Sequence, residues 1–114
     1  MYQKGDVVLV SISEGSPDGF QAKRRPAVIV SDKVIEQAMV VPLTSNTARQ
    51  GRAILIKMHS SEGKAAGLRM DYSVDCTVVA TVPTAMIVSK IGQLSKETMT
   101  RIDECIRNEL DEDV

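Results

Sequence analysis

Pro26-Ala-Val-Ile-Val-Ser31 is a β-branched run headed by a proline. Val and Ile lose rotamer freedom in a helix and pack well on a pleated surface, so the run reads as a strand. Its entry at Pro26 suits a position where a missing N–H is tolerable. The same signal recurs on both sides. Gly5-Asp-Val-Val-Leu-Val-Ser-Ile12 predicts an earlier strand, Met39-Val-Val-Pro-Leu43 a later one, and residues 52–58 a fourth with alternating character. Residues 68–72 predict a fifth strand that bends and continues through 74–82. Residues 14–24 are polar and rich in turn formers, and read as a long mobile loop. A short helical turn is expected at 33–37, a turn or loop at 59–67, and a helical turn followed by a short strand across 83–94. The end of the chain has a different period. Ser95 is placed to cap a helix, Glu97 lies in its first turn, and Met99, Ile102, Ile106 and Leu110 follow helical spacing. Several short strands closed by one helix predict a mainly β (α+β) fold: a small, strongly bent antiparallel sheet or open barrel with the C-terminal helix packed on it.

The chain has 114 residues, enough for one compact core, and residues 1–114 are expected to form a single domain. With 43% hydrophobic and 25% charged residues the profile is that of a soluble globular protein, not a disordered one. No apolar run reaches the roughly 18 residues that span a bilayer. Met1-Tyr-Gln-Lys-Gly-Asp6 does not read as a signal peptide, so no membrane partner and a cytoplasmic location are expected. Cys76 and Cys105 have no second Cys or His nearby, so zinc-site spacing is absent and both read as buried thiols. With a single histidine, any Ser-His-Asp or Cys-His scheme would rest on His59 alone, which reads as an ordinary loop residue.

The net charge of -1 conceals an asymmetry. Between Lys23 and Arg69 nine basic residues face three acidic ones, whereas from Lys96 onward seven acidic residues outnumber three basic ones. The middle of the chain is therefore a candidate anion-binding face. Aromatic residues are scarce (Tyr2, Phe20 and Tyr72), which argues against an interface built on stacking platforms alone. Phe20, beside Lys23-Arg24-Arg25, fits equally a loop anchor over the core and a base-stacking residue.

Five short pieces occur in a characteristic order: Gly5-Asp6-Val7, Arg25-Pro26-Ala-Val-Ile-Val30, Val41-Pro42-Leu43-Thr44-Ser45, Gly67-Leu68-Arg69-Met70-Asp71 and Ile91-Gly92-Gln93-Leu94-Ser95. In these pieces the chain resembles the MazF/PemK family of toxin endoribonucleases, from about Lys4 to Leu110. The resemblance implies an SH3-like barrel with appended helices, a homodimer, and cleavage of single-stranded RNA without a metal or other cofactor. It also implies a cognate antitoxin whose acidic, disordered C-terminal tail competes with RNA for the basic surface.

Metal-free RNA cleavage uses the adjacent 2′-OH as nucleophile and leaves a 2′,3′-cyclic phosphate. It needs a proton acceptor for that hydroxyl and donors aimed at the phosphorane oxygens. Arg25, at the family's Arg-Pro position, offers a planar fork to the scissile phosphate. Thr44 and Ser45 match a Thr-Ser pair whose hydroxyls bind phosphate oxygens or orient the 2′-OH, or else satisfy turn backbone groups. Arg69 and Asp71 match an Arg-x-Asp pair assigned acid and base roles in the PemK-like branch, and would share a face if the stretch is extended. Arg69 suits charge stabilisation better than proton donation, and Asp71 could equally be a structural ion-pair partner of Arg69. Tyr72 stands where the MazF-like branch places a Ser directly after this Asp, so the branch whose proton scheme applies stays open. Lys23, Arg24, Phe20 and Arg52 complete the expected RNA-binding set. The alternative is a non-enzymatic poison like the CcdB relatives, which bind a protein target such as DNA gyrase through the C-terminal helix.

Overall fold

Val7, Val8, Leu9 and Val10 can stand in a row in β1 (Asp6–Ser16) because both faces of the sheet are covered there. Side chains alternate across a strand, so Val7 enters one core and Val8 the other. β2 (Gly19–Ile29) and β3 (Gln37–Thr44) divide in the same way: Val28 and Val41 join Val7, while Ala27, Ile29 and Val40 join Val8. The computed structural model describes residues 2–16, 19–47 and 53–112, with the side chains of 13–16, 19–22, 53 and 110–112 outside that description. β4 (Ala53–Ile56), β5 (Tyr72–Asp75), β6 (Ala80–Pro83) and β7 (Ile87–Gln93) complete a sheet of order β4-β5-β3-β2-β1-β7. β6 pairs with the first half of β3 and β5 with its end, and this division bends the sheet. The outcome is the small barrel-like antiparallel sheet the sequence predicts, left open between β4 and β7.

α2 (Lys96–Glu112) closes the first core with Met99 and Ile102 buried and Cys105 and Ile106 packed beside them. Ser95 caps it as read, its Oγ accepting from the Thr98 N–H at 3.1 Å. Lys4 ties the start of the chain to this helix through Asp103 Oδ2 at 2.8 Å. No helix among the described residues is long and apolar enough to cross a membrane.

Four expectations are corrected. Residues 14–16 and 19–24 lie in strands rather than in a loop: β1 and β2 pair in a register that runs from Val7–Val28 to Ser16–Gly19. A backbone ladder needs no apolar side chains, so the polar composition hid it. Residues 33–37 hold no helical turn, because the Ile35 and Glu36 carbonyls accept from Thr84, at the start of a 3₁₀ turn (Thr84–Met86). The 59–67 segment contains a short helix, α1 (Ser61–Ala65), capped by Ser60 Oγ on the Gly63 N–H at 3.0 Å, and 68–70 is a bend rather than a strand.

The Gly5-Asp6-Val7 piece is a structural clamp. Gly5 has φ +94, a left-handed conformation open to glycine. Its N–H donates to Ile29 and its carbonyl accepts from Leu94. Asp6 is fully buried, with Oδ2 accepting from the Gln3 N–H at 2.9 Å. Oδ1 receives no well-aligned hydrogen bond and faces the Lys90 ammonium at 3.1 Å. Lys90→Met would strand that carboxylate, and breaking a buried pair from one side costs about 3–5 kcal/mol. Asp6→Asn is expected to cost less, since Lys90, 43% exposed, can turn to water. Urea unfolding of both variants checks the order, and a milder loss in Lys90→Met would refute it.

Candidate functional site

The two prolines of the strand motifs open a groove. β2 and β3 pair at Ile29–Val40, Val28–Val41 and Ala27–Pro42, and there the pairing stops. Neither Pro26 nor Pro42 has an N–H to donate, so the ladder has little to continue with. From Leu43 onward β3 pairs with β5 instead, Leu43 with Val74 and Thr44 with Ser73. The parted strands leave a cleft of about 430 Å³. Its polar lining is Arg24, Arg25, Thr44, Ser45, Tyr72 and Asp75, over an apolar base that includes both prolines.

Arg25 and Arg24 are exposed on β2, opposite Val10 and Ser11 of β1. Thr44 Oγ1 accepts from the Asn46 N–H at 3.2 Å. The turn therefore uses one lone pair of this hydroxyl and leaves its proton for a ligand, so the backbone and ligand roles are compatible. Asp75 is half-buried at the end of β5, with Oδ1 accepting from both the N–H and the hydroxyl of Thr77. Neither Tyr72 nor Asp75 was among the candidate site residues read from the sequence. Both sit on β5, whose start only the structure shows, and a pairing of β5 with Thr44 would have been the signal.

Arg69 and Asp71 do not form an extended pair. The chain bends at 69 and 70, and Asp71 Oδ1 accepts from the Met58 N–H at 2.9 Å. This carboxylate fastens the turn before α1 and lines neither cleft. Arg69 lines a second cleft of about 500 Å³, which shares Arg24, Pro26 and Tyr72 with the first. Its position is held by backbone contact: Gly67 has φ +71, and a Cβ on Gly67 or Gly92 would overlap the facing backbone of Ile91 or Ala66. The Gly-Leu-Arg and Ile-Gly pieces are thus two sides of one contact.

Lys23 is exposed on β2 opposite Ile12 and lines neither cleft. His59 is exposed in the turn before α1 and lines neither. Phe20 lies on β2 opposite Gly15, but its side chain is outside the described residues, as is Arg52 altogether. Burial pushes the Cys76 thiol far above its ordinary range, with further upward pressure from its hydrogen bond to Cys105. Cys76 is therefore a neutral core residue rather than a nucleophile.

Two guanidiniums and three hydroxyls (Thr44, Ser45 and Tyr72) around one open cleft offer donors to an anionic group, with Asp75 as a carboxylate acceptor beside them. The family model described as PemK-like, MazF-like toxin of type II toxin–antitoxin system matches residues 3–110. Solved structures share the fold. The Mycobacterium tuberculosis toxin MazF-mt6 is 20% identical with a TM-score of 0.71, over 93% of this chain and 96% of that one. An endoribonuclease in complex with its cognate antitoxin from Mycobacterial species is 17% identical with a TM-score of 0.70, over 97% and 96%. A chain of the MazE-MazF structure from Deinococcus radiodurans is 13% identical with a TM-score of 0.69, over 96% and 94%. The five sequence pieces, the barrel-like sheet they build and a family match spanning nearly the whole chain agree, and the chain belongs to the PemK-like, MazF-like toxins of type II toxin–antitoxin systems.

Proposed function

We propose that this toxin is an endoribonuclease that cuts single-stranded RNA through attack of a ribose 2′-OH, without a metal ion. The observation that carries the reading is the meeting of Arg25, Thr44 and Ser45 with Asp75 around one cleft. The 2′-OH gives its proton to the Asp75 carboxylate as its oxygen bonds to phosphorus. The bond from phosphorus to the 5′-oxygen breaks, the departing oxygen takes a proton from water in the open cleft, and the hydroxide left behind takes the proton back from Asp75. The products are a 2′,3′-cyclic phosphate and a 5′-OH. Arg25 and the Thr44 hydroxyl donate to the phosphorane oxygens, where one fixed donor typically contributes about 3–4 kcal/mol.

The partner reading follows from the same surface. An acidic, disordered antitoxin tail and an RNA backbone would both seek the cationic cleft, so occupation by one excludes the other. The expected assembly is a homodimer.

Purified protein incubated with unstructured RNA and excess EDTA is expected to cut as well as without chelator. Placing deoxyribose on the 5′ side of a cut site should abolish cleavage there, because the nucleophile is gone. Chelator-sensitive cleavage, or persistent cutting at the deoxyribose junction, would refute the mechanism.

A further inference from the structure

The second cleft has a different character from the first. Leu9, Pro26, Leu68 and Ile91 give it an apolar floor, and Arg24, Arg69 and Tyr72 supply its polar groups. A phosphate is polar on every side and would gain nothing from such a floor. A nucleobase matches it, with two apolar faces and a polar edge. Arg24, Pro26 and Tyr72 line both clefts, so a base held here belongs to a nucleotide next to the cut.

The donors select among bases. Guanidinium groups only donate, and among the described lining side chains the Tyr72 hydroxyl alone could receive an exocyclic amino group. Guanine presents O6 and N7 as two adjacent acceptors, the edge that an arginine fork engages in bidentate fashion. Adenine places an amino donor where guanine has O6, and would meet the arginines donor to donor. Arg69 is pre-organised for this task, because the backbone contact between Gly67 and Ile91 anchors its bend against β7.

We infer that the cleft of Leu9, Leu68, Arg69, Tyr72 and Ile91 is a guanine-reading subsite beside the scissile phosphate, with Arg69 as its specificity-determining residue. This rests on the nuclease reading above and adds to it a preferred substrate. The test starts by mapping cut sites of the full chain on a long unstructured RNA. Guanine is expected at one of the two positions flanking nearly every strong cut. Replacing that guanine by adenine or 7-deazaguanine, which lacks the N7 acceptor, should slow cleavage about tenfold or more. In Arg69→Ala the ratio of guanine to adenine cleavage should fall to about one. The 7-deazaguanine comparison uses the unaltered protein, so it decides the matter even if Arg69→Ala fails to fold or cut.

Chelator-resistant cutting without guanine at either flank, or with an unchanged ratio in Arg69→Ala, overturns the subsite and leaves the nuclease reading standing. A uniform loss of cleavage on every sequence in Arg69→Ala would make Arg69 a phosphate contact and likewise overturns it. Absence of RNA cleavage by the unaltered protein overturns both.

Discussion

Arg25→Ala is expected to slow RNA cleavage by about 10²–10³-fold, the usual effect of removing one donor aimed at developing transition-state charge. The fold should not notice the change. Arg25 is exposed on β2, beyond the last β2–β3 pair, and surface substitutions of this kind stay within about 0.5 kcal/mol. Arg25→Lys should recover only part of the rate, because an ammonium keeps the charge but loses the planar fork that meets two phosphate oxygens together. Single-turnover cleavage beside a urea-unfolding curve separates the two effects. Unchanged cleavage in Arg25→Ala would remove the guanidinium from the mechanism and with it the strongest reason for placing the chemistry in this cleft.

The residues that were legible beforehand are those whose backbone chemistry is punctuated. Arg25 and Thr44 stood out through the Arg-Pro and Thr-Ser pieces of the resemblance, and the structure adds that Pro26 and Pro42 lie where the β2–β3 ladder ends. Ser95 announced a helix because an N-cap followed by apolar residues at helical spacing has few other readings. The pairing of residues 14–16 with 19–21 was hidden because periodicity reports burial, and a ladder of polar residues carries no such signal. α1 was hidden for another reason. A five-residue helix is too short to show a period, and its place is set by contacts from far along the chain, including the Asp71 carboxylate on Met58 and Gly92 against Ala66. The same region holds Asp71, to which the resemblance gave a role beside Arg69 and whose Oδ1 the structure places on the Met58 N–H.

That difference between the carboxylates is open to a direct comparison. Asp75→Asn should lower cleavage by about 10²–10⁴-fold, the usual contribution of a positioned proton acceptor. The fold should persist, since the amide oxygen can still accept from Thr77 as Asp75 Oδ1 does. Asp71→Asn should cleave nearly as well as the unaltered chain, because an amide oxygen can take the Met58 N–H in the same way. Asp71→Ala would lose that bond, at a cost of about 1 kcal/mol in stability, with cleavage retained below the melting range. Two isosteric changes, four positions apart, thus give opposite results if the proton leaves the 2′-OH toward β5. Were Asp71→Asn the dead variant and Asp75→Asn the active one, the proton would have to travel toward the bend at 69–71. The cleft between β2 and β3 would then bind the phosphate without deprotonating its neighbour.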